Sequence, residues 1–351
     1  MISTSSIPAT TTRVVLPGIV EPHGLLVEDV AVSLPGRGQL LVAVEATGIT
    51  YAEQAMRRGR YFSQPAFPFT PGYDLVGRVI ATGDSTAADL VGARVATMTK
   101  TGAWTGHAVV EARDSVVVPE GLDPDLVEAV TVNGVTAWQM LHRAAKVSAG
   151  QTILVFGASG GVGGVLIQLA LHAGITVITR SAAAAPRHHD ALREAGVQPV
   201  DYNDPGLAAR VRALTPQGVD AVFDNIGGDT TRIAWGLLAR GGTLVSYAIV
   251  GAVSGTDSLW RPFLTAIGRG LWWSVLLNGK RATFYDLWSG HSLRKARFRA
   301  HLTEDLGRVL ELLDHGVLQP VIAARYPLAE IAAALTLAES RTVSGKIVIL
   351  P

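Results

Sequence analysis

The stretch that most constrains this 351-residue chain is TILVFGASGGVGGVLIQLA, an apolar strand ending at Phe156 that runs into a glycine turn and then a helix. Gly157, Gly160 and Gly163 recur three apart. Glycine lets such a turn close tightly and leaves backbone amides unobstructed at a helix N-terminus, where the helix dipole also favours an anion. Gly161 and Val162 follow at the mouth of the helix, and a side chain at 161 would crowd the same space. A strand before, a helix after and more strand–helix units downstream are the context in which this pattern cradles the pyrophosphate of a dinucleotide. The letters GASGG also fit the G-x-S-x-G elbow of a hydrolase, with Ser159 as nucleophile. The glycines that continue into the helix argue against that reading, and the later strand ends offer no evident triad acid followed by a histidine.

The units downstream repeat the theme. ITVITR, VQPVDYN, GVDAVFDNIGG, GGTLVSYAIV and ATFYDLW read as strands with helical stretches among them, which specifies a doubly wound parallel sheet. Upstream, Leu40 to Gly92 carries short β-branched runs punctuated by glycine and proline, the texture of a strand-rich lobe. Helical spacing takes over after Asp123 and Pro124, so a domain boundary is expected near residue 128. Gly251 to Arg281 is too long for a simple connection and reads as an insertion. FRAHLTEDLGRVLELLDHGV and PLAEIAAALTLAES then read as helices and GKIVIL as a terminal strand. The fold class is α/β.

Composition serves mainly to exclude. With no cysteine, disulfides, thiol nucleophiles and thiolate metal sites are ruled out. Thirty basic against 29 acidic residues give no overall field for nucleic acid. Residues 1–12 lack the basic start and apolar stretch of a secretory signal and read as a mobile tail. No apolar run reaches the roughly 18 residues of a spanning helix, and a cytoplasmic location is expected. The nine histidines are scattered, and the adjacent His188 and His189 would diverge on a helix, so no metal is assigned.

The second strand of the dinucleotide unit ends in Thr179, Arg180 and Ser181, where an NAD-preferring site usually carries an acid. The first acid beyond is Asp190, inside the next helix. Arg180, Ser181 and Arg187 instead offer positive charge and donors to a 2′-phosphate, which predicts NADPH over NADH.

Taken together, ATGITYAEQAMRRGRY, FTPGYDLVGRVIATG, GAWTGHAVV, VTAW, FGASGGVGGVLIQLA, FDNIGG and ESRTVSGKIVILP resemble the medium-chain dehydrogenase/reductases, in particular their zinc-free quinone oxidoreductase branch, from about Leu34 to Pro351. The resemblance implies a GroES-like, partly open β-barrel lobe from residues 1–128 and 289–351, a Rossmann domain over 129–288, and a cofactor cleft where they meet. Zinc-dependent relatives bind their metal near the positions of Thr50, Tyr73 and Val132, none of which serves as a ligand here. By the same likeness, Thr50, Tyr51 and the residues to Ala55 lie near the nicotinamide. Gly161 and Val162 lie under the pyrophosphate, and Tyr202, Asn225, Tyr247, Ala248, Ile249 and Val250 line the remaining cofactor path. Arg341 closes over it. Thr50 and Glu53 depart from the asparagine and aspartate common in the family.

The activity this implies is zinc-independent hydride transfer from NADPH to a quinone, enone or enoyl thioester. Tyr51 and Tyr61 are the candidate acids, Tyr61 because related enoyl reductases carry a catalytic tyrosine at its position; the alternative for each is a packed aromatic. The competing function is a non-enzymatic, nucleotide-regulated binding protein. Trp260 to Ala300 holds four of the seven tryptophans and eight basic residues against Asp286 alone. That suits a homodimer face or a packed helix pair, with a membrane interface or substrate lid as the alternative. Vesicle-amine-transport-protein-like members carry a similar segment.

Overall fold

The computed structural model describes residues 7–61, 63–181, 192–201, 206–248 and 279–351, with isolated positions between them. Thr10–Val15 (β1) and Leu26–Ala31 (β2) pair antiparallel, Thr10 opposite Ala31 and Val15 opposite Leu26. This corrects the expectation of a tail through residue 12. Residues 10–12 are already laddered to β2, and Thr12 Oγ1 donates to Asp29 at 2.7 Å.

Gln39–Ile49 (β3) is the strand around which the first unit is built. Its alternation puts Leu40, Val42 and Val44 into a core shared with Leu75, Val79, Val95 and Val110. Tyr51–Arg57 (α1) follows, then Asp74–Thr82 (β4), Arg94–Met98 (β5), His107–Glu111 (β6) and Ser115–Val117 (β7). β4 lies antiparallel between β3 and β5, and β7 pairs with β5. β6 covers the first half of β3, from Gln39 opposite Glu111 to Ala43 opposite His107. Pro124–Trp138 (α2) follows this lobe.

The parallel sheet of the second unit begins with Thr152–Phe156 (β8), followed by Gly161–His172 (α3), Thr176–Ser181 (β9) and Gln198–Asp201 (β10). Leu207–Leu214 (α4), Val219–Asp224 (β11), Asp229–Leu237 (α5), Leu238–Ser246 (β12) and Arg281–Phe284 (β13) complete it. The strands form one parallel sheet in the order β10-β9-β8-β11-β12-β13. Its core includes Leu154, Phe156, Ile178, Val222 and Leu244. Of the tryptophan-rich insertion, Trp273 packs against this core and stacks on Trp235 with ring centroids 4.6 Å apart. Trp260 and Trp272 lie outside the described residues.

The chain then supplies Lys295–Asp314 (α6), Ile322–Pro327 (β14), Ile331–Ser340 (α7) and Lys346–Leu350 (β15). Leu302, Leu306, Val309, Leu310 and Leu313 are the buried stripe of α6, at helical spacing. β15 pairs antiparallel with the second half of β3, Ile347 opposite Ile49 and Ile349 opposite Thr47, and β14 runs parallel to β15. Both chain ends therefore build one GroES-like sheet. The compact units are residues 1–135 with 290–351, and residues 136–289. Among the described residues no helix is long and apolar enough to cross a membrane.

Candidate active site

β8 sits at the place where the strand order reverses, with β9 on one side and β11 on the other. In a doubly wound sheet, ligands bind outside the carboxyl ends of the strands at this point. The glycine turn lies there. Gly157 has a positive φ of 74°, and a Cβ on it would lie 2.4 Å from Asn225 Nδ2. A Cβ on Gly163 would lie 2.2 Å from the Gly157 carbonyl oxygen, so α3 is packed against the turn that precedes it. Gly160 is the N-cap of α3 and offers no side chain to it. The amides of Gly161, Val162 and Gly163 thus open the helix without an intrahelical acceptor.

Asn225 follows β11 on the neighbouring strand end. Its Oδ1 is buried and has no hydrogen-bond partner. The loop that carries it is held by Asp224, whose Oδ1 accepts from the amides of Ile226 and Gly227 at 2.9 and 3.1 Å and whose Oδ2 accepts from Thr231 Oγ1 at 2.6 Å. Gly227 and Gly228, both at positive φ, make the bend possible. The Tyr247 amide donates to the Asp224 carbonyl at 3.1 Å, and burial, then the Asp224 carboxylate, push the Tyr247 hydroxyl up. Ala248 follows it. A cradle of free amides at a helix mouth, glycines where side chains would collide and an orphaned amide oxygen beside them fit the pyrophosphate and adjoining polar groups of a dinucleotide.

Arg180, opposite Phe156, and Ser181 end β9 at the same edge of the sheet. No acid stands in Thr176–Ser181. Arg187, Tyr202, Ile249 and Val250, as well as the Ser181 side chain, lie outside the described residues.

In the other unit, Thr50 is the N-cap of α1 and Tyr51 its first residue. The Thr50 hydroxyl accepts from the Ala52 amide at 3.0 Å, and the Thr50 amide donates to Glu53 Oε2 at 2.8 Å. The two departures from the family pattern thus form one capping box, and T-x-x-E is its sequence signal. Burial pushes the Tyr51 hydroxyl up, while the charges of Arg341, Arg58 and Arg60 pull it down. Arg341, in the left-handed region at φ 56°, caps the C-terminus of α7. The structure thus brings Tyr51 and Arg341 within electrostatic reach of each other.

Tyr61 stands three residues beyond the Arg58 cap of α1, and its hydroxyl lies 2.7 Å from the Tyr73 hydroxyl. The rings meet edge to face, with centroids 6.3 Å apart. Nothing in the local pattern around Tyr73 announces this pairing, which depends on the loop that returns the chain to β4.

Beneath α1 lies a buried charged cluster that sequence reading does not reveal: Glu53, Asp74, Glu128 and Lys346, each no more than 4% exposed. Lys346 Nζ is 2.9 Å from Glu128 Oε1, and the Val132 amide donates to Asp74 Oδ2 at 3.0 Å. Burial raises all three carboxyls, Glu128 most clearly, and Lys346 counters it in each. Three carboxylates against one ammonium would bury excess negative charge, so protons are retained.

Residues 36–122 match the alcohol dehydrogenase GroES-like domain family, and residues 196–349 the zinc-binding dehydrogenase family. A fold of this GroES-like and Rossmann make-up, with a glycine cradle at the switch point, defines a dinucleotide-binding class. The chain belongs to the medium-chain dehydrogenase/reductase superfamily. It is 29% identical over 326 residues to the human synaptic vesicle membrane protein VAT-1 homolog, covering 90% of this chain and 80% of that one. A mycobacterial structure complexed with NADPH is 27% identical, with a TM-score of 0.81 over 97% of this chain and all of that one. A quinone oxidoreductase of Pseudomonas syringae is 25% identical, with a TM-score of 0.82 over 97% of this chain and 100% of that one. Thr50, Tyr73 and Val132, near which the resemblance puts the ligands of zinc-dependent relatives, are a helix-capping hydroxyl, a phenol bonded to Tyr61 and an aliphatic side chain, consistent with a zinc-free branch.

Proposed function

We propose that the protein is a zinc-independent, NADPH-dependent reductase of conjugated carbonyls: quinones, α,β-unsaturated ketones or enoyl thioesters. The observation that carries this reading is the uncapped glycine cradle at the sheet's switch point, with the orphaned Asn225 oxygen beside it. Similarity to the mycobacterial NADPH complex and to the Pseudomonas quinone oxidoreductase supports it.

NADPH, when bound, supplies hydride. In this reading the amides of Gly161, Val162 and Gly163 hold the pyrophosphate, with Gly157 and Gly160 shaping the turn, and Asn225, Tyr247 and Ala248 line the cofactor path. Arg180, with Ser181 and Arg187, answers the 2′-phosphate. Thr50, Tyr51 and Arg341 attend the nicotinamide end. Reduction of an enone leaves negative charge on the carbonyl oxygen, and the Tyr61 hydroxyl is the group assigned to stabilise it or to give it a proton. Quinones need that help less.

The test is NADPH oxidation with purified protein across a panel of quinones, enones and enoyl thioesters, alongside direct NADPH binding. Turnover of at least one class supports the proposal. Tight NADPH binding with no turnover of any class would favour the nucleotide-regulated binding protein instead.

A further inference from the structure

The Tyr61–Tyr73 pair holds two hydroxyls 2.7 Å apart, and Tyr73 is the more deeply buried of the two. Tyr73 is 6% exposed. Its carbonyl accepts from the amides of Thr99 and Lys100 at 2.9 and 3.1 Å, and Thr99 Oγ1 donates to the carbonyl of the preceding Gly72 at 2.9 Å. Gly72 itself, at φ 105°, lies so close to the next loop that a Cβ on it would sit 2.4 Å from the Trp104 nitrogen. The backbone under Tyr73 is therefore fixed from two sides. Tyr61 is half-buried and follows the end of a short helix, and its carbonyl accepts a bond of 3.4 Å from the Gln64 amide.

A phenol has one proton to give. If Tyr61 presents its proton to a substrate oxygen, the Tyr61–Tyr73 bond has to be made with the proton of Tyr73. The buried hydroxyl then does two things. It fixes the direction in which the Tyr61 proton points, and it donates to the Tyr61 oxygen as negative charge develops there, each bond in such a chain strengthening the next. We infer that Tyr73 is a positioning residue for Tyr61 in carbonyl reduction. This rests on the reading of Tyr61 given above. Hydride, which bound NADPH would supply, forms a C–H bond at the β carbon, the C=C pair becomes a Cα=C bond and the C=O π pair passes to the oxygen. Tyr61 gives that oxygen its proton and recovers one from water, and the enol then takes a proton at the α carbon from water as it loses the one on oxygen. Tyr73 keeps its own proton throughout.

The experiment compares Tyr61→Phe, Tyr73→Phe and the double variant, each retaining its ring and the edge-to-face contact. The readouts are kcat and KM with an enone, kcat with a quinone, NADPH affinity and urea unfolding. Tyr73→Phe is expected to lower enone kcat about tenfold, the scale of one hydrogen bond in a transition state, with KM and NADPH affinity unchanged and quinone kcat within about twofold. The double variant should be no slower than Tyr61→Phe, because the two hydroxyls act through one path. Full enone kcat in Tyr73→Phe together with a slow Tyr61→Phe overturns the inference and leaves the role of Tyr61 intact. Losses that multiply in the double variant, or a Tyr73→Phe loss shared equally by quinone turnover, overturn it as well. If Tyr61→Phe is itself as fast as the parent, the reading of Tyr61 fails and this inference falls with it.

Discussion

Arg57 donates to both carboxylate oxygens of Glu339, from Nε at 2.9 Å and Nη2 at 2.8 Å, and so fastens α1 to α7. Arg58 adds a third bond to the same carboxylate at 2.6 Å. The helix that begins with Tyr51 and the helix that ends at Arg341 are thus held by one acid, which explains how two residues nearly three hundred positions apart come within electrostatic reach. Arg57 also donates to the Val20 carbonyl, so the clamp takes in the turn before β2.

Glu339→Ala should cost about 3 kcal/mol of stability, because it leaves the Arg57 guanidinium, with a side chain only 5% exposed, buried without its main partner. Arg58→Ala should cost less, since Arg58 is 26% exposed and its charge can be hydrated. Urea unfolding of the three proteins measures both. A Glu339→Ala variant within about 0.5 kcal/mol of the parent would show that the clamp is not a stabilising element.

What the sequence reveals and what it hides divide along chain distance. The glycine turn is legible because a few adjacent residues decide it: φ at Gly157 and the contact of Gly163 with the Gly157 carbonyl both arise within seven positions. The parallel alternation is legible for the same reason, each strand–helix unit carrying its own period. The Arg57–Glu339 clamp and the cluster of Glu53, Asp74, Glu128 and Lys346 are not, since their members are ordinary charged residues in sequence and become special only when the strands bring them under cover. The pairing of Tyr61 with Tyr73 belongs with these. β1 is hidden for a different reason: its strand is partly exposed and rich in threonine, so its pattern resembles a polar tail.

Two adjacent glycines of α3 should respond in opposite ways to alanine. At Gly163 the new Cβ meets backbone, the Gly157 carbonyl oxygen at 2.2 Å and carbon at 2.9 Å, so the turn has to open. At Gly164 it meets only the Ala158 oxygen of the preceding turn at 3.7 Å, an ordinary van der Waals contact. Gly163→Ala should lose NADPH binding and stability together. Gly164→Ala should keep both and gain up to about 1 kcal/mol from the better helix former. Calorimetric titration and thermal unfolding check the pair, and equal effects would mean the turn is not packed as described.

Arg180→Ala should weaken NADPH by at least about tenfold, about 1.4 kcal/mol, and leave NADH nearly unchanged. Arg180 is the penultimate residue of β9, where no acid stands to bind a ribose hydroxyl, so its guanidinium is a described group suited to a 2′-phosphate. The two affinities, measured side by side, decide it: an equal loss for both nucleotides would place Arg180 in a general structural role.

The buried cluster makes a prediction about pH whose sign follows from the retained protons. Burial holds the Glu128 carboxyl well above its usual range, so across the window from that range upward the folded chain binds more protons than the unfolded one. Stability contributed at this site therefore falls as pH rises through that window. Lys346 is raised too, but its contribution is complete below its ordinary value near 10.5 and does not change between about pH 5 and 8. Glu128→Gln keeps the shape of the protonated acid and removes the titration. Asp74, which also attracts the ammonium, remains to pair with Lys346. At pH 5 the variant should unfold at a urea concentration close to that of the parent or slightly below it. By pH 8 it should have gained on the parent by about 1.4 kcal/mol for each pH unit over which Glu128 titrates in the unfolded chain alone. Curves that stay parallel from pH 5 to 8 would show that Glu128 is ionised in the folded protein throughout, and that Lys346 alone balances the cluster.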